Sequence, residues 1–223
     1  MLLMEVGCLG EASQFLQRAV ARDPKLPVVW GQLAMSLHFG GHDKQSDLAL
    51  GQAFLHSPAH PFLWHVRYTV LIGGKHYVEA AAFVRSADQL PNGIVQPVAE
   101  LFAKIADALA KGKANAATPS ELACFLCDGL ENVPTAVTLL AECGAAAAVF
   151  DMLDAYFLGG LMNGQRAAPP GPSDERLSFM LFAPAVVALH KDPRYASLLA
   201  RTGLETYWRA SSTQPDFRRS GMR

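Results

Sequence analysis

The residues of this chain whose types could do chemistry are four cysteines, seven histidines and a pair of closely spaced aspartates. Cys124 and Cys127 have the C-x2-C spacing of thiol-redox and zinc sites. A structural zinc needs four ligands, and the other two cysteines, Cys8 and Cys143, form no second pair. A thioredoxin-like pair needs a strand leading into its helix, and no strand is predicted there. Core cysteines are the plainer reading, with a thiol-redox or other enzyme centred on Cys124 and Cys127 as the rival. His56 and His60 are spaced i, i+4, but Pro58 and Pro61 break any helix that could turn them, or His65, toward one metal. His38, His42 and His76 lie near glycine pairs and read as exposed loop residues. Asp151 and Asp154 lie one helical turn apart with no nucleophile or cation evident beside them, and read as a polar helix face. No G-x-S-x-G, P-loop, G-x-G-x-x-G or H-E-x-x-H occurs. We therefore expect no catalytic residue, no metal and no cofactor.

Composition narrows the class further. Apolar residues make up 51% and charged residues 17%, with a formal net charge of -1. Such a chain lacks the basic footprint of nucleic-acid binding. Its one basic concentration, Arg218, Arg219 and Arg223, reads as a frayed end. The start, Met1-Leu2-Leu3-Met4-Glu5, is a poor signal peptide. The longest apolar run, Cys143 to Leu161, holds two aspartates and reads as a buried helix rather than a membrane span. Four cysteines make no disulfide framework in a chain this long. The expectation is a cytoplasmic, reduced protein with no membrane association.

The elements that would position any site come from an internal repeat. Trp30 and Trp64 lie 34 residues apart, as do Pro24 and Pro58, and Pro91 falls within one residue of the next step. Ala19, Ala53 and Ala87 share the period. So do Leu16, Leu50 and Val84, and Ala12, Ser46 and Ala80. Small residues in such columns let helices approach closely, and large ones fill the space between neighbouring pairs. Gly40-Gly41 and Gly73-Gly74 end one helix of each pair, and Asp23-Pro24 and Ser57-Pro58 end the other. Beyond Pro91 the pattern decays. A helix is predicted from Ile94 to Lys111, a shorter one from Ser120 to Leu130, and a pair over about Pro134 to Cys143 and Ala145 to Leu158. In that pair Ala136, Leu139, Ala148, Met152 and Ala155 return to the register of the first units.

These residues resemble the tetratricopeptide repeat family. Trp30, Leu33, Ala34 and Leu37, followed by Ser46, Leu50, Ala53 and Pro58, follow its W-x2-L-G-x2-Y … A-x3-F-x2-A … P pattern with Ala for Gly, Leu for Tyr, Ser for Ala and Leu for Phe. The next unit keeps Trp64, Tyr68, Leu71, Ala80, Val84 and Ala87 but has Arg67 where an apolar residue is usual. Gly7, Ala12, Leu16, Ala19 and Pro24 match the second half of a first unit. A second resemblance spans Leu181-Phe182-Ala183-Pro184, Asp192-Pro193-Arg194-Tyr195, Leu198-Leu199, Gly203-Leu204, Tyr207-Trp208-Arg209 and Pro215-Asp216-Phe217. It is similar to the ending of bacterial tetratricopeptide regions attached to winged-helix transcription regulators and class III adenylate cyclases. The chain begins in mid-repeat, as a piece of a longer regulator would.

The resemblance implies an all-α fold, a tetratricopeptide-like right-handed α-solenoid of antiparallel helix pairs. Residues 1–164 would form the array, clear over about 7–91 and degenerate over 92–164. Residues 165–173 would be a Pro/Gly loop, and 174–223 a C-terminal helical cap and tail. It implies a non-catalytic protein-interaction or regulatory module whose concave groove is lined by first-helix residues: Gly31, Met35 and His38 beside Phe62, His65, Thr69 and Ile72. That strip suits an amphipathic or hydrophobic protein segment. The basic and asparagine clamp of the family's chaperone-tail adaptors is absent. Two alternatives remain at this point. The strip packs against another N-terminal unit or the chain's own C-terminal segment, or the array self-associates.

Overall fold

The computed structural model describes residues 2–86, 90–113, 119–123, 132–166 and 177–219. They are mostly helical. The helices are α1 (Leu2–Glu5), α2 (Leu9–Arg22), α3 (Pro27–Phe39), α4 (Asp43–His56), α5 (Pro61–Gly73), α6 (Tyr77–Arg85), α7 (Gln96–Ala110), α8 (Pro119–Ala123), α9 (Val133–Glu142) and α10 (Ala146–Leu158). After a two-stranded hairpin, β1 (Leu161–Met162) with β2 (Gln165–Arg166), come two 3-10 segments, Phe179–Phe182 and Pro184–Lys191. The last helices are α11 (Pro193–Arg201), α12 (Leu204–Ser211) and α13 (Asp216–Arg219). No helix among the described residues is long and apolar enough to cross a membrane.

Among the described residues one backbone turn recurs five times. A residue with positive φ stands at Gly7 (77°), Gly41 (78°), Lys75 (63°), Gly112 (67°) and Gly144 (73°). The following N–H reaches five residues back in every case: Cys8 to Leu3 O at 2.8 Å, His42 to Leu37 O at 2.8 Å, His76 to Leu71 O at 2.8 Å, Lys113 to Ala108 O at 3.0 Å and Ala145 to Leu140 O at 2.9 Å. This is the Schellman ending, which satisfies carbonyls that a helix terminus otherwise leaves bare. It closes α1, α3, α5, α7 and α9 and, in the first three cases and the last, leads into the next helix within two residues. α3 and α5 are both 13 residues long and start 34 residues apart, as do α2, α4 and α6.

The columns of the repeat form the seams between these helices. Ala12, Ser46 and Ala80 are buried, and the Ser46 hydroxyl donates to Ala34 O at 2.7 Å, joining α4 to α3. Leu50 and Ala53 are fully buried; Ala87 lies outside the described residues. Trp64, Tyr68 and Phe102 stack between α5 and α7, with the Tyr68 and Phe102 rings 4.7 Å apart. The Tyr68 hydroxyl donates to Phe102 O at 2.7 Å. Arg67, the departure from the apolar pattern, reaches back to Asp47 on α4 at 2.9 Å.

The C-terminal residues return to the beginning of the chain. Phe182, His190, Tyr195, Trp208 and Phe217 form an aromatic cluster, with His190 and Tyr195 stacked at 4.2 Å. The Trp208 indole donates to Val6 O at 3.0 Å. Asp216 N–H donates to Gly7 O at 2.9 Å, and its carboxylate accepts from Gly10 N–H at 2.7 Å, in the first turn of α2. Arg218 pairs with Glu205 and lies over the Trp208 ring, and Arg219 meets Glu11 at 3.2 Å. The expected frayed end is therefore packed as far as Arg219, because its arginines meet acids and an indole face.

Two further elements depart from the sequence reading. The β hairpin turns at Asn163-Gly164, both with positive φ (48° and 79°), a dipeptide that favours such a reversal. The segment leading to Pro184, within the expected helical cap, forms 3-10 turns rather than α-helix.

Candidate functional site

α3 and α5 bring Met35, Phe62, His65 and Thr69 of the expected groove together, and other segments then cover them. α5 packs against α3 and α9, and α9 packs against both 3-10 segments. Thr69 on α5 and Thr135 on α9 share a hydrogen bond at 3.2 Å. The contact between α3 and α5 is close because position 31 is glycine. A Cβ there would stand 2.7 Å from Leu63 Cδ2 and 2.8 Å from Phe62 Cε1.

What remains open is a cavity of about 350 Å³. Met35, Phe62, His65 and Thr69 line it, four of the seven residues expected to form the groove. Its other walls come from distant segments: Met4 of α1, the Asn92–Ile94 loop, Pro134 and Thr135 of α9, and Leu177 and Phe179. Sequence reasoning missed these residues, since periodicity within the array carries no signal for a segment that folds back on it.

His38 and Ile72 lie elsewhere. Ile72 is fully buried in the core. His38, expected near an exposed turn, is only 2% exposed inside α3. Its Nδ1 meets Asp43 Oδ1 at 2.7 Å, and its Nε2 would stand 2.6 Å from a Cβ at Gly73. The ring thus ties the end of α3 to the start of α4 and the end of α5. His42 and His76 stand at the entries to α4 and α6 and are exposed, as expected.

His65 is the titratable residue of the cavity. Its ring meets Trp64 and Phe102 edge to face, at 5.3 and 6.4 Å. Burial among these rings drives the imidazole down to about 4, so it is neutral near pH 7. Its Nδ1 is buried without a hydrogen-bond partner, as is Asn132 Oδ1 on the same wall.

A carboxylate fastens the covering segment. Glu5 Oε2 accepts from Ser178 N–H, from the Ser178 hydroxyl at 3.0 Å and from Phe179 N–H at 2.9 Å. The same hydroxyl also lies 2.7 Å from Glu5 O. Burial raises the Glu5 carboxyl above the usual range, and these donors pull it partly back.

The remaining sequence candidates do not converge. His60 Nδ1 accepts from Phe62 N–H at 3.2 Å and caps α5, while His56 is exposed at the end of α4. Asp154 faces Arg201 at 3.3 Å, and Asp151 is exposed. Cys8 and Cys143 are buried, and Cys124 and Cys127 lie outside the described residues. Among the described residues no three His, Cys, Asp or Glu side chains gather as metal ligands would. Comparison with protein-family models, with curated proteins and with solved structures found no match.

Proposed function

We propose that the chain is a non-catalytic interaction and regulatory module of the tetratricopeptide type, whose first-helix face receives a protein segment. The observation that carries this reading is the fivefold Schellman turn, with α2, α4 and α6 starting at a constant 34-residue interval. Such stacks of helix pairs present long faces rather than a single reactive centre. The resemblance of the C-terminal 40 or so residues to the ends of bacterial regulators supports a regulatory role.

In the closed form, Leu177 and Phe179 lie over the face that a partner would use. Phe179 also packs against Phe39, with ring centroids 6.0 Å apart. The partner is then an amphipathic or hydrophobic segment that takes the place of Leu177–Phe182, an apolar run held by polar bonds to Glu5, to the Tyr156 hydroxyl and from the Tyr195 hydroxyl. Binding by displacement shifts a population between closed and open forms and costs the contacts it replaces.

Affinity capture from the source cells tests this reading, with the intact chain and two variants as bait. Phe62→Asp alters the first-helix face, and Leu48→Asp alters an exposed position on α4, where Leu48 is 73% accessible. Loss of a partner with Phe62→Asp and retention with Leu48→Asp is expected. The reverse pattern would place binding on the second-helix face and overturn the proposal.

A further inference from the structure

We propose that the cavity between α3, α5 and α9 binds a small, uncharged, mainly apolar molecule carrying one hydrogen-bonding oxygen, which the His65 ring would meet. This goes beyond the protein-segment reading. It concerns a ligand held while the covering segment stays closed.

Size comes first. A volume of about 350 Å³ lies at the lower end of small-molecule sites. It is too confined for a helical peptide, whose diameter with side chains is about 10–12 Å. Met4, Met35, Phe62, Val66, Ile94 and Phe179 make most of the wall apolar. Methionine at two positions lets the wall adapt to its contents.

Charge comes second. No described residue lining the cavity is a lysine, arginine, aspartate or glutamate. A charged ligand would lose its hydration there and gain no counter-ion from these residues.

The polar group comes third. Buried polar atoms normally have partners, yet His65 Nδ1 and Asn132 Oδ1 have none, and both residues stand on this wall. A proton on Nδ1 would be a buried donor without an acceptor, which folded proteins almost never keep. The neutral ring therefore carries its proton on Nε2, which leaves Nδ1 an acceptor without a donor. A ligand hydroxyl would donate to it. Because the wall includes Leu177 and Phe179, such a ligand would favour the closed form.

Titration calorimetry and thermal shift of the intact protein test this with three probes: 2-naphthol, naphthalene and 2-naphthoate. The expected order is 2-naphthol first, naphthalene roughly fivefold to tenfold weaker for want of one hydrogen bond, and no detectable binding of the anion. His65→Phe should erase the preference for 2-naphthol over naphthalene. Ile94→Trp, which fills the cavity from its loop, should abolish binding of both. The wild-type comparison stands even if a variant fails to fold. Binding of 2-naphthoate as strong as that of 2-naphthol would overturn the proposal. So would no binding of 2-naphthol up to its solubility limit, or full affinity in a folded Ile94→Trp protein.

Discussion

The first three helix pairs and the C-terminal segment hold themselves together in opposite ways. In the pairs, each helix packs on partners nearby in sequence, α2 on α3, α3 on α4 and α6 on α7, and the seams are mainly apolar. The C-terminal segment is made of short helices and 3-10 turns, and its decisive bonds span more than 170 residues. Glu5 with Ser178, Val6 with Trp208 and Gly10 with Asp216 are three of its anchors. A stack of pairs propagates from any point along the chain, whereas the closing segment gains its contacts only when both ends meet. On the proposed reading the helix pairs are the stable body and the closing segment the part able to open.

The largest test of that contrast is Trp208→Ala. It removes a buried indole and its bond to Val6, and should lower stability by about 3–5 kcal/mol in chemical denaturation. If the two regions differ as argued, the loss should appear as a separate early transition rather than a shift of the whole curve.

His65 sits where the two regions meet, and pH probes it. Its folded value of about 4 lies below the ordinary 6.5, so the unfolded chain binds the proton first as pH falls. Its contribution is present above about 6.5 and lost as pH falls to about 4. The loss amounts to about 3 kcal/mol, at about 1.4 kcal/mol for each pKa unit. His65→Phe should remove that acid lability. An unchanged pH dependence would show that the ring is not buried as described.

Within the array, Gly31→Ala should cost about 1–3 kcal/mol, since its Cβ would strike Leu63 and Phe62. Thermal denaturation of this variant should show one cooperative loss, without the early transition expected of Trp208→Ala. The smallest effect is a gain. Lys75 holds a turn with φ of 63°, where the equivalent positions are glycine. Lys75→Gly should stabilise by about 1 kcal/mol, because it relieves the crowding of Cβ in the left-handed region.

The same contrast explains what the sequence revealed. Helix pairs were legible because their constraints are local and repeat. Trp30 and Trp64 marked α3 and α5, the Gly-Gly pairs marked their ends, and Ala136, Leu139 and Met152 marked buried positions of α9 and α10. Met35, Phe62, His65 and Thr69 were legible as one face for the same reason. His38 was misplaced because a histidine near a glycine pair looks exposed. Its burial depends on Asp43 and on the missing Cβ of Gly73. The lid of the cavity was not legible as such. Nothing in the residues around Ser178 and Phe179 points to Glu5, because that pairing is made by the closure itself. Phe182, Tyr195, Trp208 and Phe217 were read only as a resemblance, and their meeting in one cluster was not foreseen.

Native-state hydrogen exchange, read at the amides of Ser178 and Phe179 and at those of α5, tests the account most directly. The prediction is that the two amides open at a lower free energy than the buried turns of α5. Glu5→Ala should lower it further at these positions while leaving α5 unchanged. Exchange of Ser178 and Phe179 together with α5, only through global unfolding, would show that the closing segment and the array are one cooperative body and would contradict binding by displacement.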